Sequence, residues 1–406
     1  MWGSGPNARG RPRPHPVRYA LRRLCLPIWV VGSAESHLPQ PVAHMTRHRQ
    51  LLLVAGSGRS GTSLISGLLQ RLGFHVPQPE VQADPTNPRG FGEPQWVVDH
   101  HNEWLKWANV HTSDARPEAW ASTAAVSMDL GVRGLLRNWL REEFLESERV
   151  LIKDPRLLWF IPLWTSVAED LAAETSFITM LRDPFEVVAS KEHWYRNFQN
   201  PANRLAGWVN TMLFTERATR DFRRSFVLFS DLLEDWTSTI AQVDAELQLS
   251  VVESARTPQI REANLLIDPS LPSVRKQEQQ FQVSSQLEAL AKDTWDALIK
   301  LATAGAHHDS EVISELDNLR RDYQALYKDA EAIAYSSIVA AQREARRATE
   351  QQLAASAHER GGAAPGAGRT EAIDRLRRKV PHGVRKLIPG PIRRRALELL
   401  VNRGTS

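Results

Sequence analysis

The chain has 406 residues, 42% hydrophobic and 24% charged, enough to bury a full core with length left over, and no apolar run nears the roughly 20 residues that span a bilayer. A single cysteine, Cys25, excludes an internal disulfide framework and any cysteine-based metal site and fits a reducing cytoplasm. The formal charge of +4 divides unevenly: residues 1–44 hold six Arg against Glu35, and residues 371–406 hold ten Lys or Arg against three acids, so the ends contribute +5 and +7 and the middle −8, which excludes a nucleic-acid-binding surface read from net charge alone.

Residues 1–44, rich in Arg, Pro and Gly, read as a disordered extension. Their one apolar stretch, residues 24–31, is broken by Pro27; the basic residues before it and small residues after it leave a secretory signal as an alternative. Met45 offers a later start, in which case the extension is not translated. Across residues 45–275, short apolar runs at 51–55, 150–152, 177–181 and 226–229 alternate with amphipathic stretches at 63–72, 158–171, 185–198, 203–224 and 236–247. That alternation predicts an α/β domain with a parallel sheet flanked by helices. Beyond residue 280 a helix containing Leu287, Leu290, Leu298 and Leu301 is expected to turn at Gly305. A second helix follows, in which Leu316, Leu319, Tyr323, Leu326, Ala330 and Ile333 recur at alternating steps of three and four. This heptad seam makes residues 280–360 either an intramolecular hairpin or a dimerising coiled coil, with the two readings equal because the seam is short. Residues 361–370 read as a Gly-rich linker, and residues 371–406 as a basic amphipathic tail interrupted by Pro381, Pro389 and Pro391. Such a tail suits the anionic inner face of a plasma membrane, the alternative being a solvated charge run.

The first predicted strand runs into Gly56-Ser57-Gly58-Arg59-Ser60-Gly61-Thr62-Ser63 and then into a helix. A strand, a small-residue turn and a helix N-terminus aim several backbone N–H groups at one point, where they hold an anion such as a phosphate. The spacing is that of the Walker A motif, with Thr62 in place of the lysine that reaches the outer phosphates of ATP. The positive charge lies inside the loop instead, at Arg59.

Here the sequence resembles the sulfotransferases that use 3'-phosphoadenosine-5'-phosphosulfate (PAPS), whose 5'-phosphosulfate loop carries Lys or Arg followed by S-G-T-[ST]. The stretch Arg59-Ser60-Gly61-Thr62-Ser63 is similar to the arginine version of bacterial members and, more distantly, of tyrosylprotein sulfotransferases. A second stretch, Arg182-Asp183-Pro184 with Ser190 eight residues after the Arg, resembles the family's 3'-phosphate site. There a guanidinium fork at a strand end and a hydroxyl on the next helix converge on one phosphate. By itself that stretch reads as a salt-bridged helix start. The third, Lys153-Asp154-Pro155-Arg156, resembles a turn whose lysine contacts the sulfonate in flight. The three occur in order, each at a predicted strand end, within residues 50–235.

The resemblance implies donor binding by Gly58, Arg59, Ser60, Gly61, Thr62, Ser63, Arg182 and Ser190, with Arg59 and Lys153 stabilising charge during an in-line transfer. No metal is implied, since these cations take the part that magnesium plays in a kinase. The acceptor hydroxyl needs a base. Residues 87–93, Asn-Pro-Arg-Gly-Phe-Gly-Glu, resemble a bacterial pattern ending in that base, so Glu93 is the first candidate, Glu80 the second, and His100 or His101 the third. Each also has a plain reading, a Glu at a helix start or a surface histidine. Trp96, Trp104, Trp107 and Trp120 fall where the family binds its acceptor; their rings suit a sugar or other flat acceptor, and core packing accounts equally for any one of them. The acceptor class stays open among glycolipid, carbohydrate, natural product and protein. Two other functions compete: a P-loop kinase or NTPase, with Asp154 as its magnesium ligand, and an inactive membrane-tethered scaffold.

Overall fold

The computed structural model describes residues 48–195, 199–267 and 281–360, the side chains of 357–360 excepted. The expected extension 1–44, linker 361–370 and basic tail 371–406 lie outside the described residues.

The apolar runs become strands β1 (Arg49–Ala55), β2 (Arg149–Lys153), β3 (Ala173–Leu181) and β4 (Arg223–Leu228). They form one parallel sheet in the order β2-β1-β3-β4, with Leu53 of β1 level with Ile152 and Phe177. Parallel strands covered on both faces need apolar side chains at successive positions, and residues 51–55 are at most 2% exposed. Alternate residues serve opposite faces.

Between β1 and β2 lie α1 (Thr62–Arg71), α2 (Gln95–Ala108), α3 (Ala119–Ser127) and α4 (Leu130–Glu146). A 3₁₀ turn at Leu157–Phe160 and α5 (Ile161–Asp170) join β2 to β3, and α6 (Pro184–Trp194) and α7 (Pro201–Ala218) join β3 to β4. After β4 come α8 (Phe229–Glu234), α9 (Trp236–Leu247), α10 (Val251–Ser254), α11 (Thr257–Asn264), α12 (Ser285–Leu301) and α13 (Ser310–Arg360). Leu51, Leu53, Val150, Ile152 and Phe177 face Leu136 and Leu140 of α4 and Trp164 and Val167 of α5. From the other side, Leu52, Val54, Ile178 and Met180 meet Ile65 and Leu68 of α1 and Ile240 and Val243 of α9.

The expected helix over 158–171 is split, because Pro162 lacks the N–H that would continue a ladder and therefore sits at the start of a new helix. The helix expected over 203–224 stops at Ala218, since the turn at Thr219 leads directly into β4.

The two C-terminal helices pack against the sheet domain. Leu290, Leu298 and Leu301 of α12 and Leu316, Leu319 and Tyr323 of α13 join Trp208 and Met212 of α7 and Phe226 of β4 in a third core. Gly305, at φ +79°, makes the turn between them. The heptad seam divides after Leu326, which is half-buried, whereas Ala330 is exposed and Ile333 is 85% exposed. No helix among the described residues is long and apolar enough to cross a membrane.

Candidate functional site

The C-terminal ends of β1, β2 and β3 share one edge of the parallel sheet, so the segments after Ala55, Lys153 and Leu181 converge. The chain leaves β1 toward β2 on one side and β3 toward β4 on the other, the kind of switch point where open α/β sheets bind ligands.

Two glycines make the loop after β1. Gly61, at φ +88°, caps α1, and a Cβ there would lie 2.2 Å from the Phe229 ring, so only glycine fits. Gly56, at φ +130°, passes so close to β3 that a Cβ would meet the Met180 carbonyl at 2.8 Å. No side chain caps the N-terminus of α1, which leaves its positive end facing the loop. Arg59 has φ +77°, a strained setting for a non-glycine residue. Three bonds hold it: its Nε donates to Ser190 Oγ (3.0 Å), its Nη1 to the Thr86 carbonyl (3.2 Å), and its own carbonyl accepts from Arg182 Nη1 (3.1 Å). The loop after β1, the strand end of β3 and helix α6 are thereby tied together.

Lys153, only 2% exposed, connects the loop to the candidate base. Its Nζ donates to Ser63 Oγ (3.1 Å), to the Phe91 carbonyl (3.0 Å) and to Glu93 Oε1 (2.6 Å). Residues 87–93 reach over the loop because Asn87 Nδ2 also bonds Ser63 Oγ (3.1 Å) and Val81 N–H bonds the Glu93 carbonyl (2.8 Å). Burial pushes the Glu93 carboxyl above its usual range, with Lys153 opposing. Arg156, which had no assigned role in the sequence, approaches Glu93 Oε2 at 3.7 Å and also pairs with Asp154.

Behind this pair lies a buried relay. Asp154 accepts from His101 Nδ1 at 2.5 Å, and His101 Nε2 accepts from the Trp164 indole at 3.0 Å, a pattern that assigns the ring proton to Nδ1. Burial opposes ionisation of Asp154, but Arg156 and the His101 bond outweigh it and hold the carboxyl at about 2. Burial likewise lowers the His101 pKa and so favours the neutral ring.

The third pair of base candidates has no bond to the loop among the described residues. His101 is 0% exposed, with both ring nitrogens engaged inside the protein. His100 is stacked 3.9 Å from Trp96, its Nδ1 on the Trp96 carbonyl (2.8 Å). Glu80 accepts from Gln70 (3.0 Å) and Gln78 (2.8 Å), with no bond to the loop or to Lys153 among the described residues. Of the candidates, Glu93 alone is joined to the loop through Lys153. The four candidate tryptophans divide: Trp104 and Trp120 are buried, Trp96 stacks 4.4 Å from Trp139, and Trp107 is 51% exposed; Trp194, 39% exposed, lies 5.8 Å from the Arg59 guanidinium.

On the β3 side, Arg182 Nε pairs with Glu186 (3.0 Å) while its guanidinium covers the Phe229 ring at 4.8 Å. Its Nη2 is buried with no partner, as is Ser60 Oγ. Next to Ser190, Lys191 turns inward and donates to Ser57 Oγ (3.0 Å) and Ser113 Oγ (3.1 Å). Sequence reasoning gave no role to Ser57 and Arg156, which lie inside the quoted motifs, nor to Lys191, which follows Ser190, nor to Ser113, which lies far from every motif.

No family model and no curated protein matches the sequence. Among solved structures, the sulfotransferase domain of the Synechococcus PCC 7002 olefin synthase is similar, at 17% identity and a TM-score of 0.39, over 62% of this chain and 96% of that one. Sulfotransferase STF1 from Mycobacterium tuberculosis H37Rv is similar at 15% identity and a TM-score of 0.35, over 61% of this chain and 76% of that one. Both of these structures are of sulfotransferases.

Proposed function

We propose that this chain is a sulfotransferase that moves a sulfonate group from PAPS to an acceptor hydroxyl, with Glu93 as the base. The observation that carries the reading is the position of one ammonium, Lys153 Nζ, bonded at once to Ser63 of the phosphate loop and to Glu93. A charge-stabilising cation, an anion-binding loop and a carboxylate of raised pKa are what transfer to a hydroxyl requires.

The residues fit the donor. Ser60 Oγ and Arg182 Nη2 are buried polar groups without partners, and phosphate oxygens would satisfy both. In this reading the loop N–H groups, Ser60 and Ser63 hold the 5' end, and Arg182 and Ser190 hold the 3'-phosphate. PAPS supplies a sulfonate activated by its link to phosphate. Lys153 and Arg59 counter the charge that grows on the transferring group, while Glu93 takes the acceptor proton once Lys153 has shifted toward the sulfonate. The cations do what a divalent ion does in a kinase. A glycolipid or carbohydrate is the proposed acceptor, and Trp194, exposed and set against Arg59, is a ring that would meet one.

The test is protection against thermal unfolding by 3'-phosphoadenosine-5'-phosphate (PAP), the desulfonated product. Protection without magnesium is expected from PAP, and none from ATP with magnesium; the reverse would install the kinase reading. Transfer of label from PAPS to a component of cell extract would then identify the acceptor and remove the inactive-scaffold alternative.

A further inference from the structure

We propose that Lys191 belongs to the donor site as a buried ammonium beneath the phosphate loop, with the donor's own anionic groups as its counter-charge. The inference rests on the sulfotransferase reading of this site and adds to it a residue whose charge is linked to binding.

The argument begins with what Lys191 lacks. Four other cations of these segments each pair with an acid: Lys153 with Glu93, Arg156 with Asp154, Arg182 with Glu186, and Arg204 with Glu192, whereas Arg59 is held by the Ser190 hydroxyl and the Thr86 carbonyl. Lys191 is 4% exposed, and among the described residues its Nζ bonds only the neutral hydroxyls of Ser57 and Ser113. Among the described residues no carboxylate bonds it. Of the charged or titratable groups that face it, Arg204 comes from α7 and His111 from the segment between α2 and α3, while Arg59 of the loop bonds the neighbouring Ser190. The neighbouring carboxylate of the segment between α2 and α3, Asp114, is taken up among the described residues by Arg116 and the His111 N–H. Glu192, next in sequence, is engaged 2.6 Å from Arg204 Nε.

Burying an ammonium without a counter-charge is unfavourable, and an apolar side chain of equal length would fill the volume without that cost. The position is also rigid. A Cβ on Gly207 of α7 would lie 2.4 Å from the Ser113 carbonyl, and Asn210 Nδ2 bonds the carbonyls of Asp114 (2.9 Å) and Arg116 (3.1 Å), so α7 fixes the segment that holds Lys191. Ser57, its other partner, lies between Gly56 and Gly58 in the loop. A positive charge is thus locked one hydrogen bond below the place where an anion would bind.

Burial, with Arg204 adding to it, holds the Lys191 pKa down at about 8. A bound anion favours the ammonium and raises that value. Binding above pH 8 therefore draws a proton onto the protein. The phosphates of PAP, with second pKa values near 6, are already ionised there and contribute no proton change.

The experiment is calorimetric titration of the full chain with PAP at pH 8.5 in two buffers of different ionisation enthalpy, and across pH 7 to 9. Wild type is expected to take up a fraction of a proton on binding and to lose affinity as pH rises. Lys191→Met should bind about 10–100-fold more weakly at pH 7, with no uptake and a flat profile. Lys191→Arg, whose charge does not titrate, should keep the affinity and lose the pH dependence, and it carries the test alone should the Met variant fail to fold. Wild-type uptake and pH dependence persisting in either variant overturns the inference and leaves the donor reading intact. Failure of wild type to bind PAP removes both.

Discussion

Arg59 and Ser190, 131 positions apart in the chain, are joined directly, Nε to Oγ, over 3.0 Å. The two stretches assigned to opposite ends of the donor therefore form one preorganised unit. Ser190→Ala should weaken PAP binding about 3–10-fold through loss of a hydroxyl and of the Arg59 tether. Arg182→Ala should weaken it about 10–100-fold, because that side chain supplies an unpartnered buried Nη2 and also supports the Arg59 carbonyl. Titration of both variants with PAP checks the order; a larger loss for Ser190→Ala would reverse the assignment.

Glu93→Gln should lower kcat by about 100-fold or more while PAP affinity stays within a few-fold of wild type. A base acts only when deprotonated, and burial raises the Glu93 pKa above 4.5. The wild-type rate should therefore fall, as pH drops, on a limb above the usual carboxylate range, and this limb should be missing in the variant. Steady-state rates from pH 4 to 8 decide it.

Gly61→Ala should destabilise the protein and abolish PAP binding, since the new methyl meets both a left-handed backbone and the Phe229 ring. Adding Phe229→Ala removes the ring and leaves the backbone strain. Partial recovery of the unfolding midpoint in the double variant is expected; no recovery would mean that the ring is not the obstacle.

Burial of Asp154 is outweighed by Arg156 and the His101 bond, which hold the carboxyl down at about 2, so its charged form stabilises the fold. That contribution is present above the ordinary carboxylate range and is lost as pH falls through about 2. Asp154→Asn should be less stable than wild type at neutral pH and lose less on acidification over that window. Urea midpoints from pH 5 to 2 measure the difference, and parallel slopes would remove Asp154 from the acid response.

A chain ending after Lys328 keeps Val312, Leu316, Leu319 and Tyr323 in the third core and should unfold at the wild-type temperature. One ending after Gly305 loses all four, together with the Tyr323 hydroxyl bond to the Ala115 carbonyl, and should be insoluble. Equal solubility would show that α13 is dispensable to the fold.

The strands were legible because a parallel strand covered on both faces is nearly continuous in apolar residues, and residues 51–55 and 177–181 are of that kind. Helix α4 carries a signal of equal strength in the four-residue spacing of Val132, Leu136, Leu140 and Phe144. Helix α3, Ala-Trp-Ala-Ser-Thr-Ala-Ala-Val-Ser, has no amphipathic period, and its burial comes from Trp120 stacking on Phe214 of α7, a partner distant in sequence. The site divides in the same way. Arg59, Lys153 and Arg182 lie at strand ends, where position reveals direction. His101 read as a candidate base because nothing local shows that Asp154 and Trp164 enclose it. Lys191 was invisible since its inward turn depends on Ser57 and Ser113, which lie 134 and 78 positions away.

The third core also sets an order of events during synthesis. The apolar faces of α7 and β4 emerge from the ribosome well before their cover, which comes from α12 and the first turns of α13. At ~5–20 residues per second, the interval between completion of β4 and arrival of Tyr323 is roughly 5–20 s. Until α12 follows, Trp208, Met212 and Phe226 lack the whole of this cover, and until Tyr323 they lack part of it. A cell that makes this protein therefore has to shelter a half-built surface, and its yield should respond to chaperone supply and to the speed of translation through residues 229–323 more than to the stability of the finished fold.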